Sequence, residues 1–534
     1  MTDSDTDVLI IGSGAAGAAV AKSLSSRGVK VVCLEQGRWL APSTFPSSQT
    51  DWEVQLKRGP WHFSPNVRAL PEDYPVIGAG THPPDILMFN AVGGSTVHWT
   101  GHFPRFRPSD FRVRSLDGVA HDWPLTYEEL EPYYDLNDAD IGVSGLAGDP
   151  ANPPRSPRQS PPLPIGELGE TVARGFTKLG WHWWVSDNAI ISRKYRGRKA
   201  CTLQGRCMMG CPTGAKASTD VSHWPTAIEQ GAVLKTNARV REVTLDDRGN
   251  AKGALYYDQD GRLQEQKARV VVICCNGIGT PRLLLNSKSS LFPQGLANSS
   301  GLVGKNFMIH PFRFIEGVFE EPIRGWTGPF GIPLFSQEFY ETDTRRGFVR
   351  GYTFQIERSF GPVHQAWGGF TGDPIPWGDS HHRVMKERFG HMIRVTFLGE
   401  DLPDERNSVT LDPDITDSHG IPAARVTYEY SENSLRMHEH ARQRAIELLE
   451  SSGARTILDS GVIQPAFHLM GTARMGNDPA QSVVNRWNQS HDVKNLFIVD
   501  GSSFVTGAGV NPTSTIGALA LRAADSIWGR RAEW

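Results

Sequence analysis

Short apolar runs separated by glycine-rich turns mark the first part of the chain. Val8–Ile11 and Val29–Leu34 are mostly apolar, which indicates buried strands, and the Ala-rich stretch between them has the pattern of a helix that ends at Gly28. Leu234–Val243 and Ala268–Cys275 predict two further strands that return to the same sheet. The chain therefore opens with a βαβ unit, the building block of a parallel sheet.

The pattern changes in the second half of the chain. Alternating pieces between about residues 312 and 463, such as Met392–Phe397 and Ser408–Leu411, predict an inserted and mostly antiparallel sheet. One long helix is expected over Glu432–Ser452. The last 70 residues return to the α/β pattern of the first part, with a strand at Leu496–Val499 and a helix from Pro512.

This order predicts an α/β fold, α+β overall, in which a Rossmann-like cofactor domain is interrupted by a substrate domain built on the antiparallel sheet. We place the cofactor domain at residues 1–312, with a cysteine-cluster loop at about 195–220. The substrate domain covers 313–462, and the C-terminal part of the cofactor domain covers 463–534. A length of 534 residues exceeds the usual size of one hydrophobic core and agrees with two domains.

Composition and charge exclude several classes of protein. Hydrophobic residues at 39% and charged residues at 21% are typical of a globular protein, and the net charge of −3 gives no reason to expect a nucleic acid partner. No stretch approaches about 18 uninterrupted apolar residues, so we expect no transmembrane segment. The acidic start Met1–Asp5 leads directly into the first strand, and we expect no signal peptide of the chain's own.

A glycine-rich turn follows the first strand directly. Gly12, Gly14 and Gly17 have the order Gly-x-Gly-x-x-Gly, and Glu35 ends the second strand about 20 residues later. These glycines allow a tight turn that brings a pyrophosphate to the helix N-terminus, and the acid binds a ribose hydroxyl. An ordinary βα turn would not explain Glu35. The pattern predicts a dinucleotide site and leaves open whether the nucleotide is NAD or FAD.

Five motifs that follow one another along nearly the whole chain resemble those of the glucose–methanol–choline (GMC) oxidoreductase family. They are the glycine fingerprint, Val92-Gly93-Gly94-Ser95-Thr96-Val97-His98-Trp99, Gly277-x-x-Thr280-Pro281, His468-x-x-Gly471-Thr472, and Val499-Asp500-Gly501 with Asn511-Pro512-Thr513. The resemblance implies FAD, a two-domain fold and oxidation of an alcohol to a carbonyl by hydride transfer to the flavin.

The resemblance also implies which residues bind FAD. They are Gly12, Gly14, Gly17, Glu35, Gly93, Gly94, His98, Trp99, Val240, Asp500, Gly501, Pro512 and Thr513. The segment with His98 resembles the pyranose-oxidase and fructose-dehydrogenase segment that runs over the isoalloxazine ring, where a histidine can bond covalently to the flavin. Packing without a covalent bond, beside Gly93 and Gly94, is the other interpretation, and we expect contact without claiming the bond.

Two residues of these motifs are the candidate catalytic pair. His468 stands where the family keeps the histidine that takes the alcohol proton, and a neutral imidazole suits that task. Asn511 matches the second active-site position and could hold the substrate oxygen; alternatively, since Pro512 suits the first helical position, its side chain caps the following helix. That helix start would favour the anionic reduced flavin. His438 and His440 on the long helix are expected to be solvated.

Three cysteines stand close together in the sequence. Cys201, Cys207 and Cys211 have the spacing Cys-x5-Cys-x3-Cys-Pro, which suits thiolates around one inorganic cluster. The motif resembles that of iron–sulfur dehydrogenases of the fructose, sorbitol and FAD-glucose dehydrogenase type, which carry a three-iron, four-sulfur cluster. Those relatives often have two adjacent cysteines first, whereas Thr202 follows Cys201 here. A zinc site without a fourth ligand and reduced thiols in a loop are alternatives.

A cluster beside a flavin implies that electrons leave singly for another protein, which favours a dehydrogenase over an oxidase. By resemblance, the substrate is a sugar, polyol or glycoside, and the partners are a small companion subunit and a cytochrome or other acceptor. Such a subunit carries the export signal for both chains, so the protein is expected in the cytoplasm, or in the periplasm if exported with its partner. The alternatives are an oxygen-using oxidase, a lyase with idle FAD, and an electron-transfer subunit without its own substrate.

Overall fold

The structure, a computed structural model, describes residues 6–57 and 59–533. Its strands, numbered in chain order, are β1 Val8–Ile11, β2 Val31–Leu34, β3 Val76–Ala79, β4 Asp85–Ile86, β5 Trp184–Val185, β6 Val233–Lys235, β7 Arg239–Leu245, β8 Ala251–Tyr257, β9 Leu263–Lys267, β10 Val270–Ile273, β11 Phe312–Val318, β12 Leu334–Ser336, β13 Tyr352–Glu357, β14 Met392–Gly399, β15 Ser408–Thr416, β16 Pro422–Thr427, β17 Thr456–Asp459, β18 Pro465–Ala466 and β19 Leu496–Ile498. Its helices are α1 Ala15–Ser25, α2 Trp52–Lys57, α3 Pro65–Arg68, α4 Val113–Asp117, α5 Tyr127–Ile141, α6 Gly166–Leu179, α7 Thr219–Ser222, α8 Trp224–Glu229, α9 Asn276–Asn286, α10 Pro362–Ala366, α11 His381–Arg388, α12 Glu432–Ser451 and α13 Thr513–Gly529.

A five-stranded parallel sheet forms the centre of the cofactor-binding part. Its order is β19-β10-β1-β2-β6, and β1 pairs with β10 on one side and with β2 on the other. The first helix and the last helix share one apolar cluster with the sheet, which includes Val8, Ala18 and Ala520. Because β1, β2 and β10 are buried along their full length, their sequences are apolar throughout. The Rossmann-like α/β fold is confirmed.

A six-stranded antiparallel sheet forms the centre of the inserted part. Its order is β17-β11-β14-β13-β12-β5. Helices α6 and α12 cover one face, where Val172 and Leu448 pack against Val395 of the central strand. The long helix ends one residue before the predicted bound, and the strand predicted at Met392–Phe397 extends to Gly399. The opposite face of this sheet forms a wall of the cavity described in the next section.

The predicted strand Leu234–Val243 is two strands in two different sheets. β6 joins the parallel sheet, whereas β7 starts an antiparallel sheet with β8 and β9. Asn237 lies between them in the left-handed region, with a φ of 52°, so the chain turns there. The Ala238 amide then donates to the Glu35 carbonyl at 2.8 Å. The prediction of one strand was wrong because the left-handed turn at Asn237 interrupts the strand.

The strand predicted at Ser408–Leu411 exists, as part of β15, but lies outside the large antiparallel sheet. β15 pairs with β16, and β16 pairs in parallel with β3, which precedes it by about 340 residues. This small sheet packs against α9 of the cofactor-binding part, around Ile278 and Val426. A partner so distant in sequence leaves no local signal, which explains the error.

The predicted domain boundaries stay a prediction. Helix α6 and strand β5 precede residue 313, yet they pack on the antiparallel sheet, so the inserted layer also draws on residues 166–185. In the part of the chain that the structure describes, no helix is both long and apolar enough to cross a membrane. The expectation about a signal peptide depends on residues 1–5, which lie outside the described residues.

The expectation that His438 and His440 are solvated was wrong. His438 is 1% exposed, and its ring lies 4.9 Å from the ring of Phe397 and 5.0 Å from that of Tyr430. Neither ring nitrogen has a hydrogen-bond partner among the described residues. His438 belongs to the buried stripe of α12 at helical spacing, and burial lowers its pKa to about 3. His440 is partly buried and hydrogen-bonds the Tyr352 hydroxyl at 3.0 Å.

We expect His438→Phe to reduce the loss of stability at acidic pH. The folded pKa of about 3 lies below the ordinary 6.5, so the unfolded chain binds the proton first as the pH falls. The stabilisation from neutral His438 is therefore complete above pH 6.5 and declines below it, by about 2 kcal/mol at pH 5. The measurement is Tm of the holoenzyme at pH 7 and pH 5, where the variant should show the smaller drop. The control His382→Phe, on an exposed residue, should match wild type; equal drops in all three proteins would contradict the prediction.

Candidate active site

One cavity of about 490 Å³ extends between the parallel and the antiparallel sheets. Its volume is in the range of cofactor and ligand sites. Residues from motifs nearly 500 positions apart line it, namely Gly12, Gly14, Glu35, Gly94, His98, Trp99, Val240, His468, Asp500, Gly501, Asn511, Pro512 and Thr513. Gly17 and Gly93, predicted with them, lie outside the lining surface. The fold thus brings most of the predicted cofactor-binding residues and both candidate catalytic residues to one place.

Each of the fingerprint glycines is needed for a different structural reason. Gly12 has a φ of +98°, and a Cβ there would lie 2.5 Å from the Cys274 carbonyl oxygen. A Cβ on Gly17 would lie 2.0 Å from the Gly12 carbonyl oxygen. A Cβ on Gly14 would meet no described atom within 4 Å, so the cavity is open above this residue at the start of α1. This cradle, with uncapped N–H groups at the helix start, fits a pyrophosphate.

Glu35 closes the far end of the cavity. One carboxylate oxygen accepts hydrogen bonds from the Ser13 amide at 2.9 Å and the Ser13 hydroxyl at 2.7 Å, and the other accepts from the Gly37 amide at 2.8 Å. Burial raises the pKa of this carboxyl, and the hydrogen bonds act in the opposite direction. Val240 lines the same cavity. A fixed acceptor beside the pyrophosphate cradle fits the ribose of a dinucleotide.

The segment at 93–99 crosses directly over the fingerprint turn. Gly93 and Gly94 both have positive φ, and a Cβ on Gly94 would lie 3.2 Å from the Cα of Gly14. His98 follows, 6% exposed and surrounded by aromatic rings, of which Phe89 is 4.2 Å away. Its Nδ1 donates to the Met208 carbonyl at 2.5 Å, which leaves Nε2 as an acceptor without a partner among the described residues. The geometry leaves both the covalent and the non-covalent interpretation open.

Two histidines fix the protonation of the candidate base. His310 Nε2 lies 2.9 Å from the carbonyl of Ala508, and since a carbonyl only accepts, this nitrogen carries the proton of His310. His310 Nδ1 is then an acceptor, so the His468 Nδ1 at 2.8 Å must donate to it. His468 Nε2 is left as an acceptor, and among the described residues its recorded hydrogen-bond contact is with the Asn511 amide nitrogen, 3.5 Å away. Desolvation first, and then His310 and His102, hold the pKa of His468 well below its usual range.

Asn511 is oriented toward the cavity rather than toward its own helix. Pro512 occupies the position before α13, and no side chain of the described residues caps that helix. The Asn511 Oδ1 accepts from Gln355 Nε2 at 2.6 Å and from His102 Nδ1 at 2.9 Å. Its amide nitrogen therefore points to His468 Nε2, 3.5 Å away. Of the two roles considered for Asn511, helix capping does not occur, and the role at the substrate oxygen stays a prediction.

Three residues of this network were absent from the sequence-based prediction. His102 lies three residues after Trp99, so the neighbourhood of a recognised motif was the available signal. His310 lies where the cofactor-binding part leads into β11. It belongs to no motif whose spacing could have identified it. Gln355 alternates with Glu357 on the cavity face of β13, but no local pattern shows that this face meets Asn511. Each becomes visible only when distant elements are brought together.

The space beside the catalytic pair has mostly aromatic walls. Its aromatic residues are Phe312, Phe314, Phe330, Phe370 and Phe467. The polar groups of the antiparallel sheet are Gln355 and Glu357, and Glu357 pairs with the buried Arg394 on the neighbouring strand. The Arg394 guanidinium carbon lies 3.5 Å from the ring centroid of Phe370. Such a space suits a small substrate with an apolar body and few hydroxyl groups.

The three predicted cluster cysteines lie behind the 93–99 segment. Each thiol is within hydrogen-bond distance of a backbone amide, Leu203 N to Cys201 at 3.4 Å, Phe330 N to Cys207 at 3.3 Å and Lys216 N to Cys211 at 3.4 Å. Burial raises the pKa of the Cys201 thiol to about 12, and the nearby Cys207 and Cys211 also raise it. The described residues form no disulfide and no group of three side chains placed to hold a single metal ion.

Comparisons with known proteins agree with this geometry. Residues 164–312 and 403–520 match two family models described as GMC oxidoreductase, and residues 5–47 match a model described as FAD binding domain. The 2-methyl-1,2-propanediol dehydrogenase of Mycolicibacterium austroafricanum is 50% identical and covers 98% of this chain and 95% of its own. The fructose dehydrogenase large subunit of Gluconobacter japonicus is 32% identical, with coverages of 98% and 97%.

Solved structures show a similar fold at much lower identity. A formate oxidase of Aspergillus oryzae superposes with a TM-score of 0.65 at 17% identity and covers 99% of both chains. A pyridoxine 4-oxidase from Mesorbium loti gives a TM-score of 0.64 at 16% identity, covering 98% of this chain and 99% of its own. These likenesses support the fold alone.

Proposed function

Because the chain belongs to the GMC oxidoreductase family and is an FAD-dependent enzyme acting on alcohol groups, we propose that it is a dehydrogenase that oxidises one hydroxyl of a small diol or polyol. We propose further that its electrons leave through an iron–sulfur cluster held by Cys201, Cys207 and Cys211 to another protein. The observation that carries the first proposal is the unprotonated His468 Nε2, an acceptor that lies 3.5 Å from the donor amide nitrogen of Asn511 in the cavity.

The pair can bind one hydroxyl in a single orientation. A hydroxyl between them donates to His468 Nε2 and accepts from the Asn511 amide nitrogen, because those are the only roles the network leaves to these two atoms. His310 fixes the His468 tautomer from behind. As the carbon–hydrogen bond breaks, His468 Nε2 takes the hydroxyl proton, and Asn511 steadies the developing negative oxygen. Bound FAD supplies the hydride acceptor, its N5 atom.

The fit of FAD rests on residues of this chain. The cradle above Gly14 would hold the pyrophosphate and Glu35 would hold a ribose hydroxyl, while the start of α13 at Pro512 and Thr513 directs the positive end of its helix dipole into the cavity. Asp500 supports this wall, since it accepts from the Thr280 hydroxyl at 2.6 Å and the Asn276 amide at 3.1 Å. The helix start favours the anionic form of the reduced cofactor.

A small diol fits the walls better than a polyhydroxylated sugar does. The wall residues next to His468 are mostly phenylalanines, and one sheet face supplies the two polar side chains, Gln355 and Glu357. A sugar needs hydrogen-bond partners for several hydroxyl groups at once, whereas a diol needs partners for one besides the reacting group. The 50% identical relative is, by its name, a dehydrogenase of 2-methyl-1,2-propanediol. A sugar stays the second candidate because the 32% identical relative is, by its name, a fructose dehydrogenase subunit.

The cysteine loop fits a cluster by the chemistry of its donors. Its three partly buried cysteines each place a thiol near a backbone N–H, and hydrogen bonds to sulfur are a usual feature of protein iron–sulfur sites. A cluster is larger than one ion, so its ligands lie farther apart than those of a single-ion site. Oxidation of one hydroxyl to a carbonyl releases two electrons and two protons. The electrons would pass singly to an acceptor protein, reducing two acceptor molecules, and the protons leave to solvent.

The partners follow from this route. A subunit or cytochrome that accepts single electrons has to approach the cysteine loop, where Leu203 is 42% exposed between the first two cysteines. The residues from 188 to 219 contain seven arginines and lysines and no aspartate or glutamate. The name of the fructose dehydrogenase large subunit supports a multi-subunit assembly for that relative. We propose an acceptor with an acidic docking surface.

The test is an anaerobic spectrum of the purified holoenzyme before and after each of four compounds. We expect 2-methyl-1,2-propanediol and 1,2-propanediol to bleach the yellow flavin faster than fructose does, and 2-methyl-1-propanol, which lacks the second hydroxyl, to react poorly. Iron and acid-labile sulfide should be present in the same sample. A flavin that no alcohol bleaches would indicate a lyase. Rapid turnover with oxygen alone in an iron-free protein would indicate an oxidase.

A further inference from the structure

The ammonium group of Lys216 lies in the interior between the cysteine loop and the 93–99 segment. The residue is 1% exposed, although lysine is rarely buried without partners. Its Nζ donates to the carbonyl oxygens of Cys207 at 2.6 Å, Val97 at 2.7 Å and Trp99 at 3.1 Å. Three acceptors match the three N–H donors of a protonated lysine, so the buried charge is fully hydrogen-bonded.

The backbone of Lys216 contacts the loop as well. Its amide donates to the Cys211 thiol at 3.4 Å. One residue therefore touches two of the three cysteines, one through a carbonyl and one through sulfur. The positive charge lies at the base of the loop, where thiolates would gather around a cluster.

The other two acceptors belong to the segment over the flavin site. Val97 and Trp99 are the residues on either side of His98, and His98 itself donates from Nδ1 to the Met208 carbonyl at 2.5 Å. Two separate contacts thus join residues 97–99 to residues 207–208. His98, Trp99 and Met208 all line the cofactor cavity, so this junction connects the cavity with the cysteine loop.

We propose that Lys216 is a positioning residue that holds the cysteine loop against the flavin-covering segment and sets the rate at which electrons pass between the two sites. The inference rests on the iron–sulfur cluster proposed above. Electron transfer slows steeply as the gap between donor and acceptor widens, and three strong hydrogen bonds fix that gap. The lysine charge also offsets the negative charge of thiolates, which raises the reduction potential of a cluster bound there and favours transfer toward it.

The experiment compares three variants with the wild-type holoenzyme. Lys216→Met removes the charge and all three donors at nearly constant length, and Lys216→Gln keeps an amide donor without the charge. Lys235→Met is the matched control, because its partly buried ammonium donates to Gln266 at 2.8 Å rather than to residues of the cysteine loop or the 93–99 segment. Each protein is analysed for FAD, iron and sulfide. It is then mixed anaerobically with 2-methyl-1,2-propanediol while flavin bleaching and the electron paramagnetic resonance signal of the cluster are followed.

We expect the rate of cluster reduction relative to flavin reduction to fall about tenfold or more in Lys216→Met and less in Lys216→Gln. The cluster potential should shift downward in both, and Lys235→Met should keep the wild-type ratio and potential. Loss of iron from the Lys216 variants alone also supports the inference, since the loop is then no longer held. Wild-type ratio, potential and iron content in Lys216→Met would overturn it. An iron-free wild-type protein would refute the proposed cluster, and the inference would fail with it.

Discussion

Replacing His468 with alanine is expected to slow flavin reduction by substrate by about 10³-fold. The imidazole is the group whose free lone pair faces the bound hydroxyl, and His310 keeps that lone pair available by accepting from the opposite nitrogen at 2.8 Å. The residual rate of the variant should rise with pH, because the substrate hydroxyl must then ionise without help. Anaerobic stopped-flow bleaching across a pH series measures both effects.

In the wild-type enzyme, the rate of flavin reduction at acidic pH should be set by the protonation of His468. Since the pKa of His468 lies well below its usual range, the neutral base persists to more acidic pH than an ordinary histidine would allow. His491→Ala is the matched control, as this ring hydrogen-bonds Ser482 at 2.9 Å and lies outside the cavity. That control should bleach at the wild-type rate. If His468→Ala stays within tenfold of wild type with full FAD content, the base is another residue.

Replacing Cys207 with alanine should abolish electron transfer to a protein acceptor, with an expected loss of about 100-fold or more in acceptor turnover relative to flavin bleaching. A three-cysteine site that loses one thiolate has too few ligands to keep its cluster. Iron and sulfide, expected at about three and four per chain, should then fall to near zero. Metal analysis and turnover with a small one-electron cytochrome of acidic surface, as the probe acceptor, measure the two effects.

Cys33→Ala is the matched control for this substitution. Cys33 is fully buried in β2 and takes no part in the cysteine loop, so the variant loses one thiol without touching the proposed cluster. It should keep its iron and its acceptor turnover. Iron retained in Cys207→Ala at the wild-type level would mean that the metal is held elsewhere, and iron absent from both variants and from wild type would leave the loop without a cluster.

The parts of the fold that could be predicted were those with a local cause. Strands buried on both faces must be apolar throughout, which is why Val8–Ile11 was recognisable with its exact bounds. Gly12, Gly14 and Gly17 were recognisable because the tight turn excludes side chains. By contrast, the pairing of β3 with β16 depends on residues about 340 positions apart and left no trace in either strand.

The candidate site, like the fold, has features that the sequence could predict and features that depend on distant residues. His468 was recognisable from its motif, but its tautomer depends on His310, 158 residues earlier in the chain. The choice between two roles for Asn511 could not be settled from the sequence, because the sequence does not show which atoms of the side chain face the cavity. Gln355 and His102, which come from a different sheet and a different loop, occupy the amide oxygen, so this oxygen does not cap α13, and the role at the substrate oxygen stays a prediction. The orientation of the Asn511 side chain is set by residues that are close to it in space but distant from it in the sequence.

The edge position of β19 has a consequence for biosynthesis. This strand joins the parallel sheet only after more than 200 further residues, among them the antiparallel part, have been made, since β10 ends at Ile273 and β19 begins at Leu496. Asn511 and the start of α13 follow still later. The catalytic end of the cavity therefore closes only after Asn511 has been translated, and a chain that stops before this residue would expose unfinished apolar edges to chaperones rather than retain its coenzyme.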